Sequence, residues 1–472
     1  MSNEYITTIG LEIHAELHTN SKMWCGCKND PLEKKANQNV CEICMAHPGT
    51  LPVANKEAIK KVIQVGLAVN ANIADFTEFD RKNYFYPDIP KAYQITQYKY
   101  PIVSNGEINS IALTRIHLEE DTAKSTHDAE GFTLVDYNRA GVPLMELVTE
   151  PVIHTAKDAG NFARELQRIL RYLGASEANM ELGQMRVEAN ISVSKTSTFG
   201  TKVEVKNLNS FRSVEEAIDF EVARHIEILE SGVGEIVQET RGWDENKQIT
   251  FSQRKKENAH DYRYFPDPDL PKLYLSKMFN NEELKNNLPE LPAQKRARYL
   301  KEFELKEETT EIIVDDICLA RFFDEVVTGK DKTFTQLTSN YLVGDIVGVL
   351  KKENKEIITD NLPDAKQFAV LIEMIIKNEL SSRGAKDILP EMLKNKNVDV
   401  KKYAEEKGLI QKNDPEALKA IVTEVINENP AQWADYKGGK EAMLMFFVGQ
   451  CMKKSKGSGN PGVFQEILKH RD

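Results

Sequence analysis

The stretch Arg115-Ile116-His117-Leu118-Glu119-Glu120-Asp121-Thr122-Ala123-Lys124 decides how the first half of the chain is read. Ile111, Leu113, Ile116 and Leu118 supply β-branched and apolar bulk, so the segment enters as a strand. It leaves on three consecutive carboxylates and a lysine. Adjacent anions repel one another, and alone such a run reads as a solvated acidic turn. A cation site requires other polar strands around it.

Those strands are present. From Ile9 to His18 the chain alternates after Gly10, with apolar residues at odd positions and Glu12, His14, Glu16 and His18 at even ones. Such a strand buries one face and lines the other with ionisable groups. His beside Glu at i and i+2 is also a metal-ligand pattern. Met185–Val193 sets Arg186, Glu188, Asn190 and Ser192 on one face, and Lys202–Lys206 does the same with Lys202, Glu204 and Lys206. Four strands with mixed-charge faces predict an antiparallel sheet whose polar side lines a basin, with helices on its apolar side.

The helices have start and stop signals. One follows Asn55, and one starts near Thr155, with Asp158 completing a capping pattern, and runs to Gly174. Another starts at Ser213 and stops by Gly232. Between them, Asp80–Gln94 reads as a loop of aromatics, cations and prolines that suits the wall of a polar-substrate or nucleotide site. Asp136–Pro151 holds more ionisable groups than a connector needs. Arg263, set among Tyr262, Tyr264 and Phe265, fits either ring stacking or a domain seam.

Four of the six cysteines are clustered as Cys25-Gly-Cys27, thirteen residues, then Cys41-Glu-Ile-Cys44. Four thiolates at this spacing can close a tetrahedral zinc site with no open position, which makes it structural. Cys318 and Cys451 lie alone in helical sequence and read as small buried residues.

The length of 472 residues predicts two to four domains. A net charge of −11 argues against a surface coated in nucleic acid. Residues 401–472 carry 12 Lys and Arg against 10 Asp and Glu, or +2, so RNA contact is expected there. No run reaches the about 18 apolar residues of a membrane span, and no signal-peptide pattern opens the chain, so a cytoplasmic protein without a membrane partner is expected.

Neither GxxxxGK[ST] nor a strand-borne GxGxxG occurs, so the standard nucleotide fingerprints do not apply. A basin of Glu, His and Glu-Glu-Asp beside Lys124, Arg186, Lys202 and Lys206 suits Mg²⁺ with phosphate. A hydrolase with a metal-activated water is the alternative that composition leaves open.

The blocks Gly10-Leu-Glu-Ile-His14, Asp80-Arg-Lys-Asn-Tyr-Phe-Tyr-Pro-Asp88, Arg115–Asp121, Asp136-Tyr-Asn-Arg-Ala-Gly-Val-Pro143, Val205-Lys-Asn-Leu-Asn-Ser-Phe211 and Asp261-Tyr-Arg-Tyr-Phe-Pro266 closely resemble the GatB family. These are B subunits of the tRNA-dependent aspartyl/glutamyl amidotransferase, and the resemblance spans essentially the whole chain in order. It implies that ATP phosphorylates the side-chain carboxylate of Glu-tRNA(Gln) or Asp-tRNA(Asn), and that ammonia then displaces the phosphate. It also implies a heterotrimer, in which a glutaminase subunit (GatA) supplies ammonia and GatC bridges the two. Carried over, the family's Mg²⁺ and phosphate site falls on Glu12, His14, Glu119 and Glu120; Lys124, Arg186 and Lys206, read from the basin itself, are the expected catalytic cations. Ala123 departs from the family's usual glycine, which is expected to restrict the turn. A non-catalytic tRNA-binding scaffold is the competing class, but a scaffold has no need of His/Glu strands.

The fold expected is α+β: an antiparallel-sheet cradle over residues 1–290 with flanking helices, a helical domain over 291–400, and an all-helical tail over 401–472. Leu288-Pro-Glu-Leu-Pro292 marks the linker. In the tail, Asp414 and Pro415 open a helix, and Lys437, Lys440, Lys453, Lys454 and Lys456 are the expected tRNA phosphate contacts.

Overall fold

Strict alternation in the first strand makes it the centre of the largest sheet. The strand β1 (Ile6–Glu16) leaves Ile9, Leu11, Ile13 and Ala15 with no exposed surface, while its polar residues face the other way. A computed structural model describes the protein over residues 5–127, 130–255, 259–411, 415–455 and 459–471. Two compact units divide it, Met1–Pro292 and Ala293–Asp472.

In the first unit the strands are β2 (Asp80–Asn83), β3 (Tyr93–Thr96), β4 (Ile111–Glu120), β5 (Pro143–Thr149), β6 (Met185–Ser194), β7 (Val203–Leu208), β8 (Glu239–Asp244) and β9 (Ile249–Lys255). The main sheet runs β9-β8-β7-β6-β1-β5-β4 and continues through the short strands Val103–Ser104 and Asn72–Ile73. Its pairings are antiparallel apart from β7 with β8. That exception has a physical cause: a helix connects the two strands, and a helical crossover returns the chain in the same direction. Asp80–Gln94, read from sequence as a loop, instead begins in β2 and ends in β3, which pair with each other beside the main sheet.

Helices α1 (Lys56–Ala68), α2 (Ala156–Tyr172) and α3 (Phe211–Ser231) share one apolar core with the sheet. Thr155 caps α2 through the Asp158 amide, as its spacing predicts. The third helix begins earlier than expected, capped by Ser210 rather than starting at Ser213, and ends at Gly232 in the left-handed region. On α1, Gly66 sits against the edge strands, where a Cβ would lie 2.7 Å from both Ile73 and Val103.

The second unit is helical. Leu418, Val422, Val425, Leu444, Phe447, Phe464 and Leu468 form a separate core, in which Cys451 is fully buried, as its helical setting suggested. Cys318 is only half-buried. Asp414, expected to cap the first tail helix, lies outside the described residues; the helix is Pro415–Glu428. No helix among the described residues is long and apolar enough to cross a membrane.

Asn55 ties the cysteine loop to the core. Its Oδ1 accepts from the amides of Glu57 and Ala58 at 2.9 and 3.2 Å, and its Nδ2 donates to Ser21 O and Lys22 O at 3.0 and 3.2 Å. Losing the cap and these bonds in Asn55→Ala should destabilise the protein by about 2 kcal/mol in denaturant unfolding. Asn55→Asp, which keeps the cap acceptor, should recover part of that.

Candidate active site

Register decides which side chains meet on the polar face. His14 lies opposite Glu146 of β5 and Arg186 of β6, and Glu146 lies opposite His117 of β4. Side chains two residues apart share a face, so Glu119 joins His117 there. His14 Nε2 is 3.6 Å from Glu119 Oε1 and 3.4 Å from Glu146 Oε2. His117 Nε2 reaches the same Glu146 oxygen at 3.4 Å. The donors of His14, Glu119 and Glu146 converge within 4.8 Å of one another.

One strand pair over, Glu12 lies opposite Glu188, and Asn190 opposite Glu204. Glu12, Glu188 and Glu204 form a second converging group, all oxygen. Asn190 donates to Glu12 at 2.8 Å, and Thr240 Oγ1 to Glu204 at 2.7 Å. Lys206 Nζ stands 2.7 Å from Glu188 Oε2, yet that buried oxygen takes no well-aligned hydrogen bond. Two carboxylates at this separation repel by about 3 kcal/mol at an effective dielectric near 20, which a bound cation would reverse.

The four residues Glu12, His14, Glu119 and Glu120 therefore do not form one set. His14 and Glu119 meet in one group and Glu12 belongs to the other. Glu120 faces away from both, because adjacent strand residues point to opposite sides. It pairs with Lys91 at 2.7 Å and accepts from the Ile95 amide at 3.0 Å. There it lines a cavity of about 200 Å³ with Trp24, Cys25, Cys44 and Lys91. Arg186 is engaged by Asp121 at 2.8 Å, and Lys206 by Glu188; Lys124 is exposed on the short strand Lys124–His127. Lys202 is exposed beside a cleft that includes Glu12 and Asn190. Ala123 lies outside the left-handed region and donates its amide to Asp88 O at 2.9 Å, so no glycine is required there.

Sequence reading passed over Glu146, Glu188 and Glu204 as ligands, and it placed Lys82 among the cations of a loop where the structure has a strand. The signal for Glu146 is a lone acid in the middle of Pro-Leu-Met-Glu-Leu-Val-Thr, a strand otherwise apolar.

Electrostatics separate the groups further. Burial works against a charge on His14, but Glu146, Glu188 and Glu119 outweigh it and push the imidazole up to about 9. Burial pushes His117 down to about 4. Glu119 is pushed up to about 7 by burial and by the charge of Glu146. Burial also opposes the charges of Glu146 and Lys82. His117, His14 and Lys82 nevertheless hold Glu146 well below the carboxylate range, and Tyr264, Glu119, Tyr84 and Glu146 hold Lys82 above the usual lysine value.

Cys25, Cys27, Cys41 and Cys44 bring their sulfurs within 4.8 Å of one another and form no disulfide. The Cys41 amide donates to Cys44 Sγ at 3.1 Å, an N–H···S contact of the kind that supports thiolates. The donor set fits a tetrahedral metal such as zinc.

In the tail, Lys437 donates to Arg471 O at 2.6 Å, Lys440 pairs with Asp435 at 3.0 Å, and Lys454 pairs with Glu424 at 2.9 Å and with Glu428. Lys453 lines a groove with Arg383 and Asn460. Lys456 lies outside the described residues.

An α+β unit whose sheet carries two carboxylate-rich donor groups on one face, with the half-buried Lys206 beside one of them, defines a class: a protein with a candidate cation site. Comparison with known proteins makes this specific. The GatB/GatE catalytic domain matches residues 7–281, and the GatB domain matches residues 321–471. A protein of Brevibacillus brevis is 43% identical over 99% of this chain and 98% of its own length. Another from Thermodesulfovibrio yellowstonii is 42% identical over 98% of each. Each of the two is named as the B subunit of an aspartyl/glutamyl-tRNA(Asn/Gln) amidotransferase. The chain belongs to the GatB/GatE family.

Two measurements check the site. In the metal-free protein, imidazole proton resonances should titrate near pH 9 for His14 and near pH 4 for His117, and Glu146→Gln should bring His14 down toward 6.5. Because the folded value for His14 is raised, its ion pairing stabilises the protein fully below about pH 6.5, and that contribution is lost as pH rises through about 9. Separately, one equivalent of zinc should bind the purified protein. Cys44→Ser should lower that affinity by at least about tenfold in chelator competition and abolish zinc-dependent thermal stabilisation.

Proposed function

We propose that this chain is the subunit that activates and amidates a tRNA-bound amino acid, acting in the cytoplasm. The side-chain carboxylate of Glu-tRNA(Gln) or Asp-tRNA(Asn) attacks the γ-phosphorus of ATP, ADP leaves, and an acyl phosphate forms. Ammonia then attacks the acyl carbon and inorganic phosphate departs, giving Gln-tRNA(Gln) or Asn-tRNA(Asn). The observation that carries this reading is the pair of carboxylate groups on one sheet face, with Lys206 among them and Lys82 of the neighbouring β2 within their electrostatic reach. Binding a substrate that brings its own negative charge to such a face requires cations.

The chain's residues divide this work. Glu12, Glu188 and Glu204 offer an all-oxygen set suited to Mg²⁺, and His14, Glu119 and Glu146 a mixed set that also suits a transition metal. A divalent ion bound there would offset charge on the transferred phosphoryl and orient its oxygens. Lys82 and Lys206 remain protonated and supply positive charge without one. Thr240 and Asn190 fix the rotamers of Glu204 and Glu12, so the donors are positioned before substrate arrives. His14 and Lys82 hold Glu146 ionised, while His117, buried beside it, stays neutral near pH 7.

The same reading extends to organisation. A glutaminase subunit (GatA) would supply the ammonia and a small GatC subunit would complete the heterotrimer. A cradle over residues 1–290, a helical domain over 291–400 and a tail over 401–472 would divide catalysis from tRNA binding. Lys440 and Lys454 are held by exposed ion pairs, so exchanging Asp435 or Glu424 for tRNA phosphates costs little.

Transfer of label from γ-labelled ATP to Glu-tRNA or Asp-tRNA by the assembled complex tests the site. Glu146→Gln and Glu188→Gln should each reduce transfer by about 100-fold or more, with tRNA affinity retained; undiminished transfer refutes the assignment. Alanine at Lys437, Lys440, Lys453, Lys454 and Lys456 together should weaken tRNA binding and flatten its salt dependence, with basal ATP hydrolysis unchanged.

A further inference from the structure

Among the described residues, Lys22 and Lys295 are the buried lysines, and Lys295 is paired with Asp324. Lys22, only 1% exposed, pairs with no carboxylate among the described residues. Its Nζ donates to Tyr137 O at 3.0 Å and to Cys44 Sγ at 3.9 Å. Glu120, which like Lys22 borders Gly141, is taken by Lys91 at 2.7 Å. A buried ammonium without an opposite charge is costly, because a carbonyl satisfies a donor but not the charge. A neutral thiol is a weak acceptor and helps little.

The backbone of Lys22 is fixed as closely as its side chain. Its amide donates to Cys27 O at 2.9 Å, and its carbonyl accepts from Asn55 Nδ2 at 3.2 Å. The ammonium is thereby delivered to the cysteine group and kept from water. Of the four sulfurs, those of Cys25 and Cys44 belong to buried residues, while Cys27 and Cys41 are half-buried. Four thiolates around a divalent ion leave two negative charges uncompensated. Water can reach the outer pair. Cys44 has the Cys41 amide at 3.1 Å, a dipole only, and Lys22. The charge missing around the lysine is the charge that a metal-loaded quartet would carry.

We propose that Lys22 is the counter-ion of a tetrathiolate metal centre at Cys25, Cys27, Cys41 and Cys44, and ties that centre to the turn at Tyr137. It touches no metal and acts through the Cys44 sulfur, so it is a positioning residue. The next residue in the turn, Asn138, accepts from the amides of Gln38 and Asn39 at 2.8 Å each. The turn therefore grips the loop between the two cysteine pairs while Lys22 grips the centre itself. This role is independent of phosphoryl transfer. The alternative is a lysine that serves Tyr137 O alone, and the two differ in what a neutral donor can replace.

Zinc affinity of the full chain, measured by chelator competition, separates them in wild type, Lys22→Met and Lys22→Gln. Glutamine keeps a donor for Tyr137 O but carries no charge. Both variants should bind zinc about tenfold or more weakly. With cobalt(II) in place of zinc, their sulfur-to-metal charge-transfer bands should move to longer wavelength, since a thiolate gives up an electron more readily once the neighbouring positive charge is gone. Wild-type zinc affinity in Lys22→Gln, or unshifted cobalt bands, assigns Lys22 to the carbonyl and overturns the counter-ion. A wild-type chain that binds neither metal overturns it too. Where substitution prevents folding, the wild-type chain carries the test: the Nζ resonance of Lys22 should move when zinc binds, and an unmoved resonance overturns the proposal.

Discussion

Repulsion between carboxylates gathered on one face of a sheet is the constraint on which the first unit depends. Glu12, Glu188 and Glu204 on one side, and Glu119 and Glu146 on the other, are all at least half-buried and all close to like charges. Such groups stay ionised only if cations neutralise them or protons do. Both solutions are used. Glu146 remains charged against His14 and Lys82, whereas Glu119, next to it, is pushed toward neutrality. The imidazolium of His14 supplies positive charge against Glu146, and Lys206 does the same against Glu188 in the all-oxygen group.

The rest of the unit holds that face rigid. A flat array of donors on neighbouring strands is more precise than one on loops, because each position is fixed by backbone pairing on both sides. Burying the opposite face against α2 and α3 prevents register slips, since a shift of one residue would turn Ile9, Leu11 and Ile13 toward the carboxylates. Stability and chemistry are therefore coupled through the same alternation. The helical second unit has no such coupling. Its core residues recur at helical spacing, and the tail lysines Lys437, Lys440, Lys453 and Lys454 sit on the solvent side.

How much of this was legible follows from period and distance. Alternation over Ile9–His18 and Met185–Val193 was long enough to reveal strands, their buried faces and the polar basin. Caps at Asn55 and Thr155 revealed two helices, and the cysteine spacing revealed four sulfurs that converge as a metal site would require. Partners across strands were not legible, because nothing local says that residue 14 faces residue 146. Glu146 was accordingly left in a connector, and Lys82 in a loop whose prolines and aromatics masked four residues of strand. The parallel pairing of β7 with β8 was also hidden, since it depends on where α3 returns the chain.

The run Glu119-Glu120-Asp121 shows most clearly what a strand does to adjacent like charges. In a turn the three would share one solvent shell and one counter-ion. In β4 and just beyond it they are sent to three different cationic partners: Glu119 to His14, Glu120 to Lys91, and Asp121 to Arg186. Only the first of these lies in the carboxylate group that can hold a metal. The second opens on the cavity walled by Cys25 and Cys44, so the cysteine group and the carboxylate group lie on opposite sides of β4. Any change that loosens the cysteine group removes a wall from the cavity in which the Glu120–Lys91 pair is held. A structural metal at those cysteines would in this way constrain the chemistry without touching a substrate.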